Sequence, residues 1–226
     1  MGHAEQRGAS ALDARRTATA TLTARMTGWV DEMAPTLLRL DAPPGPPGWN
    51  HEVLVELIGD GPRRSAAVLL AVRDTPEPRV VFTLRRDDLV HHAGQVSLPG
   101  GRIEASDAGV VAAALRESRE EIALDSAAVE PIGYLDCLET ISGFCVTPVV
   151  ARLAPDATLV PQPAEVAQVF EVPLRFLLDP ANLRQVGFHW RDQRRTVYEY
   201  VGVAPRIWGA TALMLVNLLR RMGRMP

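Results

Sequence analysis

The feature that most restricts the fold is one strong helical pattern, set in the middle of a chain otherwise made of short apolar runs. From about Asp107 to Ile122, Val111, Leu115, Ser118 and Ile122 recur at i, i+4, i+7 and i+11, a spacing that predicts one buried helix face. Asp107 precedes an Ala-rich run and is the expected N-cap. Upstream, Ser65–Val72 and Arg79–Leu84 are apolar runs of strand length, separated by the turn-forming residues 74–78. Downstream, 129–138, 146–153, 170–173 and 188–201 read as further strands. Ile207–Met222 reads as a largely buried helix with Arg220 and Arg221 in its last turn. Strands before, around and after one central helix fit an α+β fold, an α/β/α sandwich with a mixed sheet.

Residues 1–49 are expected to form a helical lead-in, amphipathic over 29–40, that ends in the Pro/Gly-rich linker 41–50. Residues 50–226 form the main domain. The composition, 47 % hydrophobic and 23 % charged, is that of an ordinary globular protein. A net charge of −3 gives no broad basic footprint for nucleic acid, although a local basic pocket can still hold an anionic small molecule. No run approaches the roughly 20 apolar residues needed to span a bilayer, and no apolar signal-peptide core is present, so a cytoplasmic protein without a membrane partner is expected. Cys137 and Cys145 are too few to staple a domain of this size and are expected to be reduced and buried. The terminal helix and the lead-in would each suit a homodimer; neither requires one.

Chemistry concentrates in the second half of the central helix. Glu117, Glu120 and Glu121 stand at i, i+3 and i+4, which places three carboxylates on one face, opposite the apolar stripe. Arg116 reaches Glu120 at i+4, but one arginine cannot neutralise three carboxylates. A hard divalent cation can, because Mg²⁺ takes oxygen ligands and keeps positions for water and phosphate. The bland reading is a solvated charged helix face. Against it stands the segment Pro99-Gly100-Gly101, which ends an irregular stretch over 85–101. Two glycines without side chains let a backbone approach a ligand closely beside the acidic helix.

These residues resemble the Nudix box. Residues 100–124 carry Gly101 as its opening glycine and Arg116, Glu117, Glu120 and Glu121 as its core. Three positions depart: Asp107 replaces the spaced glutamate with one extra residue before Arg116, Ser118 takes an aliphatic position, and Ala123 replaces the late glycine. The turn closing the helix is therefore expected to differ. The resemblance implies hydrolysis of a diphosphate linkage. Glu117, Glu120 and Glu121 would hold Mg²⁺, with Mn²⁺ as an alternative, and Arg116 would orient Glu120 or its neighbour.

Residues 81–101 are similar to the motif of the coenzyme A diphosphatase branch of that family. Thr83, Arg85, Gly94, Pro99, Gly100 and Gly101 match in register, which implies Arg85, Gly94, Gly100 and Gly101 in substrate binding. Arg86 stands in place of a serine, Leu98 in place of a phenylalanine, and Val90 in place of a second arginine. Arg86, His91 or His92 could supply the missing cation. Glu165, in a segment that also resembles this branch, is a candidate catalytic base or extra metal ligand; the plain alternative is a solvated residue at a strand start. Trp208 and Phe144 could stack an adenine, although packing is the favoured reading. The expected substrate is coenzyme A or an acyl-CoA. The alternatives are NADH, ADP-ribose or a nucleoside triphosphate, which Val90 favours, and a non-catalytic nucleotide sensor, which the intact carboxylate set disfavours.

Overall fold

The computed structural model describes residues 28–89, 93–190 and 193–225, without the side chains of 188–190 and 193. The chain forms two compact units, one ending at Pro35 and one spanning Thr36–Pro226. In the first, residues 28–33 are helical. The α-helix does not continue to residue 40 as expected: Pro35 lacks the N–H an interior turn needs, and Ala34–Thr36 form a 3₁₀ turn.

In the second unit the linker is docked. Leu38 and Tyr134 exchange backbone hydrogen bonds at 2.9 Å, and Trp49 N donates to Cys137 O at 2.9 Å. A helix that the sequence patterns do not announce follows, α1 (His51–Ile58). Its Val53, Val55 and Ile58 are β-branched and dilute the helical signal. Its start is fixed by Asn50, whose amide donates to Glu139 O at 2.8 Å and accepts from Glu139 N at 2.9 Å. Glu139 is itself buried at 2 % exposure, and its carboxylate accepts from Gly48 N, His51 Nδ1 and Arg63 Nε at 2.8 to 3.0 Å.

The sheet is mixed. β1 (Arg64–Arg73) runs parallel to β7 (Phe144–Leu153) over its whole length. β5 (Val129–Tyr134) and β6 (Leu138–Glu139) pair antiparallel with the far edge of β7. On the other edge β1 touches β2 (Arg79–Arg85) only at Val72↔Val80 and Arg73↔Arg79, and the two strands then splay apart. β3 (Val96–Ser97) and β4 (Gly100–Arg102) fill that opening, β3 on β2 and β4 on β1. β8 (Val166–Pro173) pairs with the outer edge of β2. β9 (Leu183–Trp190) and β10 (Gln193–Tyr200) form a separate antiparallel ribbon.

Both faces of the sheet are covered. β1 is buried continuously from Ala66 to Val72, the pattern of a strand packed on two sides. Ala67, Leu69 and Ala71 form one core with Ala113, Ala114 and Ile122 of α2 (Val110–Ile122). The alternate residues of β1 point to the other face. The terminal helix, α4 (Gly209–Arg221; the four-residue turn Leu174–Leu177 is α3), is tied to the sheet by Thr211 Oγ1 donating to Val96 O at 2.8 Å. The result is the expected α+β sandwich.

Four local expectations are corrected. Gly100 and Gly101 continue a strand, because the splay leaves β1 an unpaired edge that β4 takes up. Gly109, not Asp107, is the N-cap of α2, with no side-chain cap; Asp107 is engaged by Arg116 instead. The buried stripe of α2 runs through Ala113, Ala114, Ser118 and Ile122, while Val111 and Leu115 are half-buried. Cys137, just before β6, and Cys145, on β7, are bonded to each other, their Cα atoms 6.0 Å apart. They are buried as expected but not reduced.

Candidate active site

The late glycine of the box is replaced, yet its backbone conformation is kept. Ala123 closes α2 at φ +51 and ψ +29, and its N–H caps Ser118 O. This left-handed conformation is the one glycine normally supplies after a helix. Ser118, at an aliphatic position, is buried because its hydroxyl donates back to Ala114 O at 2.7 Å. Both departures are thus absorbed locally, and the helix presents its glutamates undisturbed.

Glu117 lies against β4. A Cβ on Gly101 would stand 2.5 to 2.6 Å from the Glu117 carboxylate, so the absent side chain is the space this carboxylate occupies. Gly100, at φ +149, is equally constrained: a Cβ there would run into Ala67 O and Val68 Cα of β1. Its N–H instead donates to Glu121 Oε2 at 3.1 Å.

The three helix carboxylates differ in depth. Glu121 is buried at 5 % exposure, so it flanks the apolar stripe and does not oppose it. Glu117 is half-buried and Glu120 is exposed. Burial pushes the Glu121 carboxyl up to about 7, against the opposing pull of Gly100 N–H and Arg85. Burial also raises Glu117, offset in part by Arg116, and the negative charges of Glu120 and Glu165 add to the rise. Glu165 acts on both Glu117 and Glu121, so four carboxylates share one electrostatic neighbourhood.

Two arginines stand among them. Arg116 is held by Asp107 Oδ1 and Oδ2 at 2.9 and 3.0 Å and by Arg102 O at 2.9 Å. From that anchorage its NH1 donates to Glu117 at 3.0 Å and Glu120 at 3.2 Å. The Asp107 contact holds the guanidinium far above its ordinary range, and the same contact depresses the Asp107 carboxyl. The helix pattern hides this contact of Asp107; its register in the box is the available signal. Arg85 lies across the cleft, NH1 3.6 Å from Glu121 and NH2 4.0 Å from Glu165, with a buried Nε that makes no hydrogen bond.

Among the remaining expected site residues that are described, several have partners of their own. Arg86 grips Asp88 at 2.6 and 2.7 Å and Pro163 O at 2.8 Å, so its guanidinium is already engaged. Gly94, at φ +65, turns the loop back so that its N–H reaches Arg86 O at 3.2 Å. Val90, His91 and His92 lie outside the described residues. Phe144 is covered by the Arg64 guanidinium, 4.1 Å from its ring centre, and Trp208 by Arg206 at 4.6 Å. Each ring thus already has a cation over one face.

The donor set suits a hard divalent cation: oxygen ligands only, an excess of negative charge, and a glycine cradle shaped to one carboxylate. Among the described residues no three acidic, histidine or cysteine side chains already converge on one ion position. The carboxylates are turned toward Arg85 and Arg116, and closing round an ion requires them to rotate away from these partners.

Comparison with known proteins shows the family. Residues 62–193 match the family model described as the NUDIX domain. A Cronobacter sakazakii protein called "Uncharacterized Nudix hydrolase NudL" is 39 % identical over 164 residues, covering 73 % of this chain and 85 % of that protein. A Salmonella paratyphi B protein of the same name is 38 % identical over 184 residues, covering 80 % and 90 %. Among solved structures, a Nudix hydrolase from M. smegmatis, RenU, is 25 % identical with a TM-score of 0.43, covering 50 % of this chain and 73 % of that one. The chain belongs to the Nudix hydrolase family, whose members act on nucleoside diphosphate derivatives and generally need divalent metal ions.

Proposed function

We propose that this enzyme hydrolyses the diphosphate of coenzyme A or an acyl-CoA, giving 3′-phosphoadenosine 5′-phosphate and the (acyl-)4′-phosphopantetheine. The observation that carries the reading is Arg85. It is held by the register of the 81–101 motif, and it faces the carboxylate cluster with an unbonded buried Nε. A guanidinium so placed can turn two parallel donors onto a diphosphate oxygen pair.

In this reading Glu117, Glu120 and Glu121 hold Mg²⁺ or Mn²⁺. Such an ion, when bound, neutralises diphosphate oxygens and lowers the pKa of a water. Gly100 and Gly101 let the diphosphate approach the backbone of β4. Arg116, fixed by Asp107, sets the orientation of Glu117 and Glu120. Glu165 faces the helix from the opposite loop and serves as a supplementary ligand or as the base that takes the proton of the attacking water.

A second reading, hydrolysis of NADH, ADP-ribose or a nucleoside triphosphate, is favoured by Val90, which removes a cation from the motif. The engagement of Arg86 strengthens it, since that arginine does not replace the lost charge. A panel of coenzyme A, acyl-CoA, NADH, ADP-ribose and nucleoside triphosphates, incubated with Mg²⁺ or Mn²⁺ and resolved by product mass, separates the two. Turnover of coenzyme A to 3′-phosphoadenosine 5′-phosphate is the expected result. Turnover of NADH or ADP-ribose without coenzyme A would overturn the coenzyme A reading.

A further inference from the structure

The loop that carries Glu165 is fixed at one end and gripped from outside at the other. Gln162 N donates to Glu121 O at 2.8 Å and Val160 N to Ile122 O at 2.9 Å, which pins the loop to the end of α2. Beyond Gln162 the chain turns sharply, with Glu165 N and Val166 N both returning to Gln162 O at 3.0 and 2.9 Å. Arg85 pairs with Val166 where β8 begins, and Arg86, the next residue, also grips this turn. Its backbone N–H donates to Glu165 O at 3.1 Å and its NH1 to Pro163 O at 2.8 Å. Asp88 holds the guanidinium in that direction through both its oxygens. The motif has serine at position 86, and a serine side chain is too short to span this gap.

We propose that Arg86 is a positioning residue: with Asp88 it clamps the Pro163–Glu165 turn and so fixes the Glu165 carboxylate against Arg85 and the helix glutamates. It is not a phosphate ligand. The inference rests on the reading of Glu165 as part of the metal and substrate site. An arginine is required because the two tasks, gripping a carboxylate in a fork and donating to a carbonyl, need several fixed donors. Lysine, a single point charge, serves one task at a time.

The test compares Arg86→Ala, Arg86→Lys, Glu165→Gln and the double variant Arg86→Ala/Glu165→Gln. Three readouts are used: hydrolysis of whichever diphosphate the wild type cleaves, Mn²⁺ affinity by electron paramagnetic resonance, and amide hydrogen exchange over 162–166. Arg86→Ala is expected to speed exchange in that segment, weaken Mn²⁺ binding and lower kcat roughly tenfold, with KM within about twofold. That is less than the hundredfold a 1 Å misplacement can produce, because the turn keeps its internal bonds. Arg86→Lys should fall between the two, and the double variant should be no worse than Glu165→Gln alone.

A raised KM with unchanged kcat would overturn the proposal, since that is the mark of a lost substrate contact. So would wild-type exchange and Mn²⁺ affinity in Arg86→Ala, or a Glu165→Gln variant indistinguishable from wild type in both kcat and Mn²⁺ binding. If no substrate of the panel is cleaved, the coenzyme A reading fails, and the exchange and Mn²⁺ measurements still decide the clamp.

Discussion

Replacing Gly101 by alanine adds one methyl group, and the structure shows where it goes. The new Cβ would stand 2.5 Å from Glu117 Cδ, whereas ordinary contacts begin at 3.4 Å. The carboxylate must therefore retreat by about 0.9 Å, taking it off the position that Arg116 NH1 holds at 3.0 Å. A misplacement of about 1 Å at a catalytic group can reduce the rate about a hundredfold. Gly101 does not occupy the left-handed region, so alanine is conformationally acceptable there and global stability should change by roughly 0.5 kcal/mol or less. The expected Gly101→Ala enzyme is folded, has near-normal thermal unfolding, and has lost about two orders of magnitude in kcat together with metal affinity. Gly100→Ala is the contrasting control: at φ +149 its methyl group meets the β1 backbone, and the fold itself should fail. The measurements are kcat and Mn²⁺ affinity alongside a thermal melt. A Gly101→Ala enzyme with wild-type activity would refute the cradle, and one that unfolds like Gly100→Ala would refute the separation of site from scaffold.

Four further outcomes are expected. Glu120→Gln, at an exposed site, should remove most activity while the thermal melt stays within about 0.5 kcal/mol of wild type; near-normal rates would show that Glu120 is not part of the metal site. Ala123→Gly should stabilise the protein by about 0.5–1 kcal/mol in chemical denaturation, because a left-handed alanine costs about 1–2 kcal/mol and glycine returns part of that as entropy. In metal-free protein the Glu121 carboxyl has a folded pKa of about 7, above the unfolded value of about 4.5. Its contribution to stability is therefore complete below about pH 4.5 and lost as pH rises through 7, on the order of 3 kcal/mol in total. Glu121→Gln should flatten that part of the pH profile of unfolding, and added Mg²⁺ should stabilise the wild type more at pH 8 than at pH 6. Glu139→Ala should destabilise by about 3–5 kcal/mol in denaturant titration, since it leaves the buried Arg63 guanidinium without its carboxylate.

What the sequence disclosed depended on how local the governing interaction is. β1, β2 and α2 could be read to within a few residues because apolar run length and 3.6-residue period are properties of one segment. α1 could not, because its start is fixed by Asn50 bonding Glu139 eighty-nine positions away. The same holds for β4, whose glycines become strand only because β1 and β2 splay to leave an edge. The depth of Glu121 was hidden for a related reason. Spacing places three glutamates on one side of α2, but only the position of β4 decides which of them is buried.

The departures from the box follow a common physical line. Asp107 is one methylene shorter than the glutamate it replaces and stands one residue farther from Arg116, yet it still grips Arg116 in a fork. Ala123 keeps the left-handed turn, and Ser118 satisfies its own hydroxyl within the helix. Each change leaves the carboxylates where they are. Among the described ion pairs, Asp107, Glu117, Glu120, Glu121 and Glu165 are met by Arg85 and Arg116. Arg116 is committed on three sides, whereas Arg85 has a buried Nε with no partner and only long contacts to Glu121 and Glu165. The site thus has more carboxylates than arginines, and Arg85 is the less committed of the two arginines. In the proposed reading a divalent ion would answer the first and a diphosphate the second, and each would make room for the other: phosphate oxygens would draw Arg85 off Glu121, and the released carboxylate would become available to the metal. Binding of metal and diphosphate should therefore be cooperative, with Mn²⁺ affinity measured in the presence of a non-hydrolysable diphosphate higher than in its absence. In Arg85→Ala that gain should shrink to what the direct attraction of ion and diphosphate supplies, because Glu121 is then already released; a gain of unchanged size in the variant would break the link between the two.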